Sequence, residues 1–155
     1  VILNLVHVNV NCTDVERSLA FYRKLGFEVV HVFGDADDRR RLDPDGDLSS
    51  VMTSPGGGRV RGCVLGLGDD PRSTTKIELI EHLEPRVIEA PPRGLHESGV
   101  SRIALRTRNL LEFVEKLKGL GIRFEVEPRE IDVVGAQRFA LFRDPDGVVL
   151  ELIEF

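Results

Sequence analysis

Glu78-Leu79-Ile80-Glu81 recurs letter for letter as Glu151-Leu152-Ile153-Glu154, each copy ending a strand-like run. A repeat of this kind makes the chain two copies of one unit, so each half must fold as the other does. The first strands agree. Residues 5–11 alternate, with Val6, Val8 and Val10 on one side and Leu5, His7, Asn9 and Asn11 on the other. That is the period of a strand with one face in an apolar core. Shifted by 95 residues the strand returns as residues 100–105, with Ile103 and Leu105 in the places of Val8 and Val10. His7 is replaced by Arg102.

The helices repeat as well. Thr13 and Asp14 offer an N-cap, and Val15, Leu19, Tyr22 and Leu25 form one stripe of an amphipathic helix ended by Gly26. Leu110, Val114, Leu117 and Leu120 form its counterpart, ended by Gly121. Further strands are expected at Phe27–Phe33, Val60–Leu67, Phe124–Ile131 and Gln137–Arg143, with Pro128 marking an edge or a bend. Asp144-Pro145-Asp146-Gly147 reads as a tight turn. Each half is therefore β-α-β-β-β, and the fold class is α+β. Residues 1–155 are read as one domain, with modules at 1–82 and 99–155 and a proline-containing linker at 83–98.

The ends of the halves are shifted by 73 residues and their starts by 95, so the first half holds 22 extra residues. These fall in 34–59, rich in Asp, Arg, Gly, Pro and Ser, which reads as a flexible excursion or a lid anchored by Leu48, Val51 and Met52. Arg39-Arg40-Arg41 lies there among aspartates and reads as a solvated loop.

Composition narrows the function classes. A net charge of −5 argues against a nucleic-acid surface. No apolar run approaches the roughly 20 residues of a membrane span. The chain opens on strand residues, which reads as no signal peptide and a cytoplasmic location. Cys12 and Cys63 have neither metal-ligand nor disulfide-framework spacing and read as small buried fillers.

Facing decides which side chains can meet. Ile77, Leu79, Leu150 and Leu152 take the helix side of their strands. Glu78, Ile80, His82, Glu151 and Ile153 take the other, with His7, Asn9, Arg102, Ala104 and Arg106. A face carrying His7, Glu78, Arg102 and Glu151 beside Leu5, Ile80, Val149 and Ile153 is neither wholly wet nor wholly apolar, and reads as a functional cavity.

Leu5–Phe27, Lys76–Glu81, Gly99–Leu105 and Phe142–Glu154 together resemble the vicinal oxygen chelate superfamily, which includes glyoxalases, methylmalonyl-CoA epimerases, extradiol dioxygenases and bleomycin-resistance proteins. The resemblance implies two tandem βαβββ modules forming a cupped, partly closed mixed sheet with the helices outside, and a homodimer. It carries the family's metal positions onto His7, Glu78, Arg102 and Glu151. Arginine stays protonated and has no lone pair for a metal, so the four-ligand site is broken at Arg102.

Two readings are open. In one, His7, Glu78 and Glu151 hold a divalent metal (Fe, Mn, Zn, Ni or Co), Glu78 and Glu151 handle protons, and Arg102 clamps a substrate anion. The chemistry would be that of a lyase, isomerase or epimerase, passing through an enolate-like intermediate on a small oxygen-rich or thioester substrate. In the other there is no metal, Arg102 neutralises the carboxylates, and the chain binds or sequesters a small molecule as resistance proteins do. Extradiol dioxygenase chemistry is weaker, because those members use two histidines and only His7 matches. Asn9, Met52, His82 and Arg106 complete the expected substrate pocket. His96 is a further histidine able to approach the site from the linker.

Overall fold

The computed structural model describes residues 1–34, 59–71, 74–89, 91–92 and 94–155. Met52, Leu48, Val51 and the Arg39–Arg41 cluster, with nearly all of the expected 34–59 excursion, lie outside the described residues. The chain divides into two compact units, Val1–Ala90 and Pro91–Phe155.

The first unit contains β1 (His7–Asn11), α1 (Val15–Lys24), β2 (Glu28–Phe33), β3 (Arg59–Gly66) and β4 (Lys76–Glu84). Its sheet has the order β1-β4-β3-β2, with β1 parallel to β4 and the other neighbours antiparallel. The second contains β5 (Ile103–Thr107), α2 (Leu110–Gly119), β6 (Phe124–Val133), β7 (Ala136–Arg143) and β8 (Val149–Glu154). Its order β5-β8-β7-β6 repeats the first, with β5 parallel to β8. The expected tandem βαβββ pattern is present, as two four-stranded mixed sheets. The parallel pairing requires a crossover, and the helix of each unit supplies it.

Each sheet buries one face under its helix. Val10, Cys63, Leu65, Ile77 and Leu79 pack with Val15 and Tyr22 in the first unit, and Leu110, Val114, Leu117, Phe142, Leu150 and Leu152 are their counterparts in the second. A fully buried Leu contributes about 1.5–3 kcal/mol by leaving water, so each unit has a sufficient apolar reason to fold this way. The contact line of α1 differs by one residue from expectation. Ser18 is fully buried while Leu19 is only half-buried, so the helix packs along 15, 18, 22 and 25.

Both helices stop by the same device. Gly26 (φ 95°) and Gly121 (φ 85°) take the left-handed conformation that side chains resist. The N–H of Phe27 then reaches Tyr22 O, and that of Ile122 reaches Leu117 O, a Schellman closure in each unit. In the first, the Phe27 and Tyr22 rings meet edge to face at 5.5 Å across the closure.

Two irregularities reshape the edge strands. β6 is an edge, as Pro128 suggested, and its pairing slips between Val126 and Arg129 around that proline. In β2 the register slips at Val30, so Val29 stands opposite Leu65 while His31 stands opposite Val64. The extra residue turns His31 and Phe33 to the face away from the helix. Among the described residues no helix is long and apolar enough to cross a membrane.

Candidate functional site

In the first unit, pairing places Asn9 directly opposite Glu78, and His7 opposite Lys76. Partners in a sheet share a face, so His7, Asn9 and Glu78 all point away from α1, as the alternation required. His7 Nε2 lies 3.6 Å from Glu78 Oε2. The carboxylate side chain is 12% exposed and the imidazole 47%, so the pair has one sheltered and one accessible member. The same cross-strand row runs Asn9–Glu78–Val64–His31. The next is Asn11–Ile80–Gly62–Phe33, where a side chain on Gly62 would come within 2.6 Å of the Phe33 ring. The aromatic ring thus lies where Gly62 leaves room.

The second unit repeats this geometry with different chemistry. Ala104 stands opposite Glu151, as Asn9 stands opposite Glu78. Arg102 Nε donates to Glu151 Oε2 at 2.7 Å, with side-chain exposures of 45% and 9%. A charge-assisted hydrogen bond of this length leaves no space between donor and acceptor. The His7–Glu78 gap is different in kind. Two ligand atoms on one cation, each at about 2.0–2.2 Å, are held apart by roughly this separation. The first unit therefore offers two donors at a separation one cation can span, fewer than the three or four protein ligands of an ordinary metal site, while in the second the guanidinium is the cation. Among the described residues no cluster of three or more His, Cys, Asp or Glu could hold a metal.

The other sequence-derived candidates are distributed as follows. Arg106 points to the same face as Glu151, its guanidinium 5.0 Å from the Phe155 ring centroid. His82 lines a cavity of about 330 Å³ at the end of β4, with Thr13, Arg59, Glu81 and Arg86. Neither His7 nor Glu78 lines that cavity. His96 is exposed in a turn where Glu97 N donates to Gly94 O.

The last glutamate of each repeat, Glu81 and Glu154, joins elements that lie far apart in the sequence. Three residues beyond Glu78 and Glu151, it faces the helix. Glu81 Oε2 accepts from the N–H of Val15, the first residue of α1, at 3.0 Å, and from Arg61 Nε at 2.9 Å. Glu154 Oε1 accepts from the N–H of Leu110, the first residue of α2, and its other oxygen pairs with Arg138 at 3.2 Å. Hydrogen bonding to Glu81 is the main cause that raises the Arg61 pKa above its ordinary value. These glutamates fasten helix to sheet. The three-residue spacing within Glu-Leu-Ile-Glu was the available signal, since it sends the two carboxylates to opposite faces of one strand.

Cys12 and Cys63 are buried, as expected of fillers. Burial pushes the Cys63 thiol up to about 11, which keeps it protonated and unreactive near neutrality.

The model for the Glyoxalase/Bleomycin resistance protein/Dioxygenase superfamily matches residues 4–152. An uncharacterized Bacillus subtilis protein, YwkD, is 29% identical over 150 residues, covering 96% of this chain and 94% of that one. A glyoxalase family protein from Bacillus cereus superposes with a TM-score of 0.75 at 18% identity, covering 99% of this chain and 94% of its own. The trypanothione-dependent glyoxalase I of Leishmania major superposes at 0.64 with 21% identity over 98% and 86%. TnmS3, an antibiotic-binding protein from Streptomyces sp. CB03234, superposes at 0.60 with 18% identity over 99% and 96%.

Proposed function

We propose that this chain, which belongs to the Glyoxalase/Bleomycin resistance protein/Dioxygenase superfamily, is a lyase, isomerase or epimerase acting on a small oxygen-rich or thioester substrate, with Glu78 as its proton-handling group. The observation that carries this reading is the difference between two equivalent pairs. Glu151 is locked to Arg102 at 2.7 Å, whereas Glu78 lies 3.6 Å from His7. A sheltered carboxylate without a direct guanidinium partner among the described residues can accept a proton from a carbon next to a carbonyl. A neighbouring imidazole can donate to, or withdraw from, the adjacent oxygen.

His7 Nε2 and Glu78 Oε2 are the donors that would hold a divalent ion. Such an ion would supply Lewis-acid stabilisation of negative charge on a substrate oxygen. Asn9, directly across from Glu78, presents an amide that can hold a substrate oxygen in register. Arg102 orients Glu151 through a hydrogen bond, so this second carboxylate is an acceptor of fixed position.

One observation favours a second reading, a binding protein of the sequestering type. The Arg102–Glu151 pair is satisfied within the chain, with no external cation needed.

Metal-dependent stability separates the two. Melting curves are recorded with Mn²⁺, Fe²⁺, Zn²⁺, Ni²⁺ and Co²⁺ on the native chain and on His7→Ala and Glu78→Gln. A native-state ligand raises stability by mass action. The enzyme reading expects at least one ion to raise Tm in the native chain and in neither variant, and Glu78→Gln to abolish turnover across a panel of 2-hydroxycarbonyl and acyl-thioester substrates. Unmoved melting curves together with no turnover by the native chain would favour sequestration.

A further inference from the structure

One continuous row crosses all four strands of the second sheet on the face away from α2. Arg106 stands opposite Ile153, Ile153 opposite Phe139, and Phe139 opposite Arg129. Two cations therefore frame two apolar side chains. Ile153 and Phe139 are only partly buried, so apolar surface stays accessible between them. Arg129 is exposed and has no ion-pair partner among the described residues. Arg106 rests over the Phe155 ring, an attraction that steadies the guanidinium without consuming its hydrogen-bond donors.

From this row we infer that the second unit binds an amphipathic anion, with a carboxylate or phosphate on Arg106 and an apolar body across Ile153 and Phe139. Arg129 receives a second negative group where the ligand has one. Three strand spacings separate the two arginines, about 14 Å between backbones, so a chain-like ligand spans the row. Glu151 occupies the next row, about 7 Å away along the strand. A chain with a net charge of −5 that keeps, around an apolar strip, two arginines without an ion-pair partner among the described residues suits a negative ligand with a greasy middle. This identification of a substrate class rests on the proposed role of this sheet face, but its measurement does not depend on turnover.

Titration calorimetry in chelator, with decanoate, decanedioate and decanol as probes, tests it. Decanedioate is expected to bind more tightly than decanoate, and decanol at least tenfold more weakly than decanoate. Arg106→Ala should weaken both acids at least tenfold, and Arg106→Lys by less. Arg129→Ala should bring decanedioate down to the affinity of decanoate and leave decanoate unchanged. Unaltered melting curves confirm that the variants fold. Equal binding of both acids by Arg106→Ala and the native chain, decanol binding as well as decanoate, or no saturable binding would each overturn the inference. Arginine-dependent binding in a chain that shows neither metal response nor turnover removes the enzyme reading and leaves the anion site standing.

Discussion

Glu154 accepts a hydrogen bond from the backbone N–H of Leu110 at 3.3 Å, so the last strand of its unit caps the helix of that unit. Asn109 sits in the left-handed conformation and makes no side-chain cap of its own. The only described partner of the Leu110 N–H is thus a residue distant in sequence. In the first unit Asp14 caps Glu16 and Arg17 locally, and Glu81 takes the Val15 N–H besides.

This asymmetry predicts unequal costs for the same substitution. Glu154→Ala removes the cap on the Leu110 N–H and leaves Arg138 without its better-sheltered carboxylate. A loss of about 1–2 kcal/mol is expected from cap removal. Glu81→Ala should cost a similar amount through Arg61, but α1 retains its Asp14 cap. Chemical denaturation with amide exchange reports both. Exchange at the start of α2 should accelerate more in Glu154→Ala than exchange at the start of α1 does in Glu81→Ala. Equal acceleration would show that Asp14 contributes nothing.

Arg102→His replaces a guanidinium that excludes metal by a donor of the type found at position 7. The variant is expected to gain affinity for Zn²⁺ or Ni²⁺ by at least tenfold, read as a ligand-dependent rise in Tm. Arg102→Met should gain none. It leaves Glu151 nearly buried without its cation, a cost of about 1–2 kcal/mol once discounted for the exposure of the arginine. No gain in the histidine variant would mean that position 102 is not the counterpart of position 7 in function.

Cys63 gives a pH signature. Its folded value of about 11 lies above the ordinary 9.0, so between those values the unfolded chain has lost a proton that the folded chain retains. Stability from this group is complete below pH 9 and declines as pH rises toward 11, by at most about 1.4 kcal/mol per unit. Cys63→Ala should flatten that part of the stability profile. An identical slope in both proteins from pH 9 to 11 contradicts the assignment.

The tandem units, both helices with their glycine stops, and the outward facing of His7, Glu78, Arg102 and Glu151 were legible in the sequence. Each depends on a period of two or 3.6 that side chains display directly. The slip at Val30 was not. Alternation in Glu-Val-Val-His-Val-Phe assumes an unbroken pleat, and only pairing with β3 reveals the extra residue that re-aims His31 and Phe33. Ser18 replaced Leu19 in the packing line because 15, 18 and 22 trace a helical stripe as well as 15, 19 and 22 do, and hydrophobicity alone favours the wrong one. Glu81 and Glu154 were visible as letters, but their partners lie in other elements.

The two glutamates of each repeat divide stability from chemistry within four residues. The last is tied to helix and sheet in both copies, while the partner of the first has changed between copies from imidazole to guanidinium. A duplicated unit built this way can exchange the residue facing its first carboxylate without loosening the joint that holds it together. Evolvability here is a matter of wiring: the position that differs between the two copies is separate from the position that is the same in both.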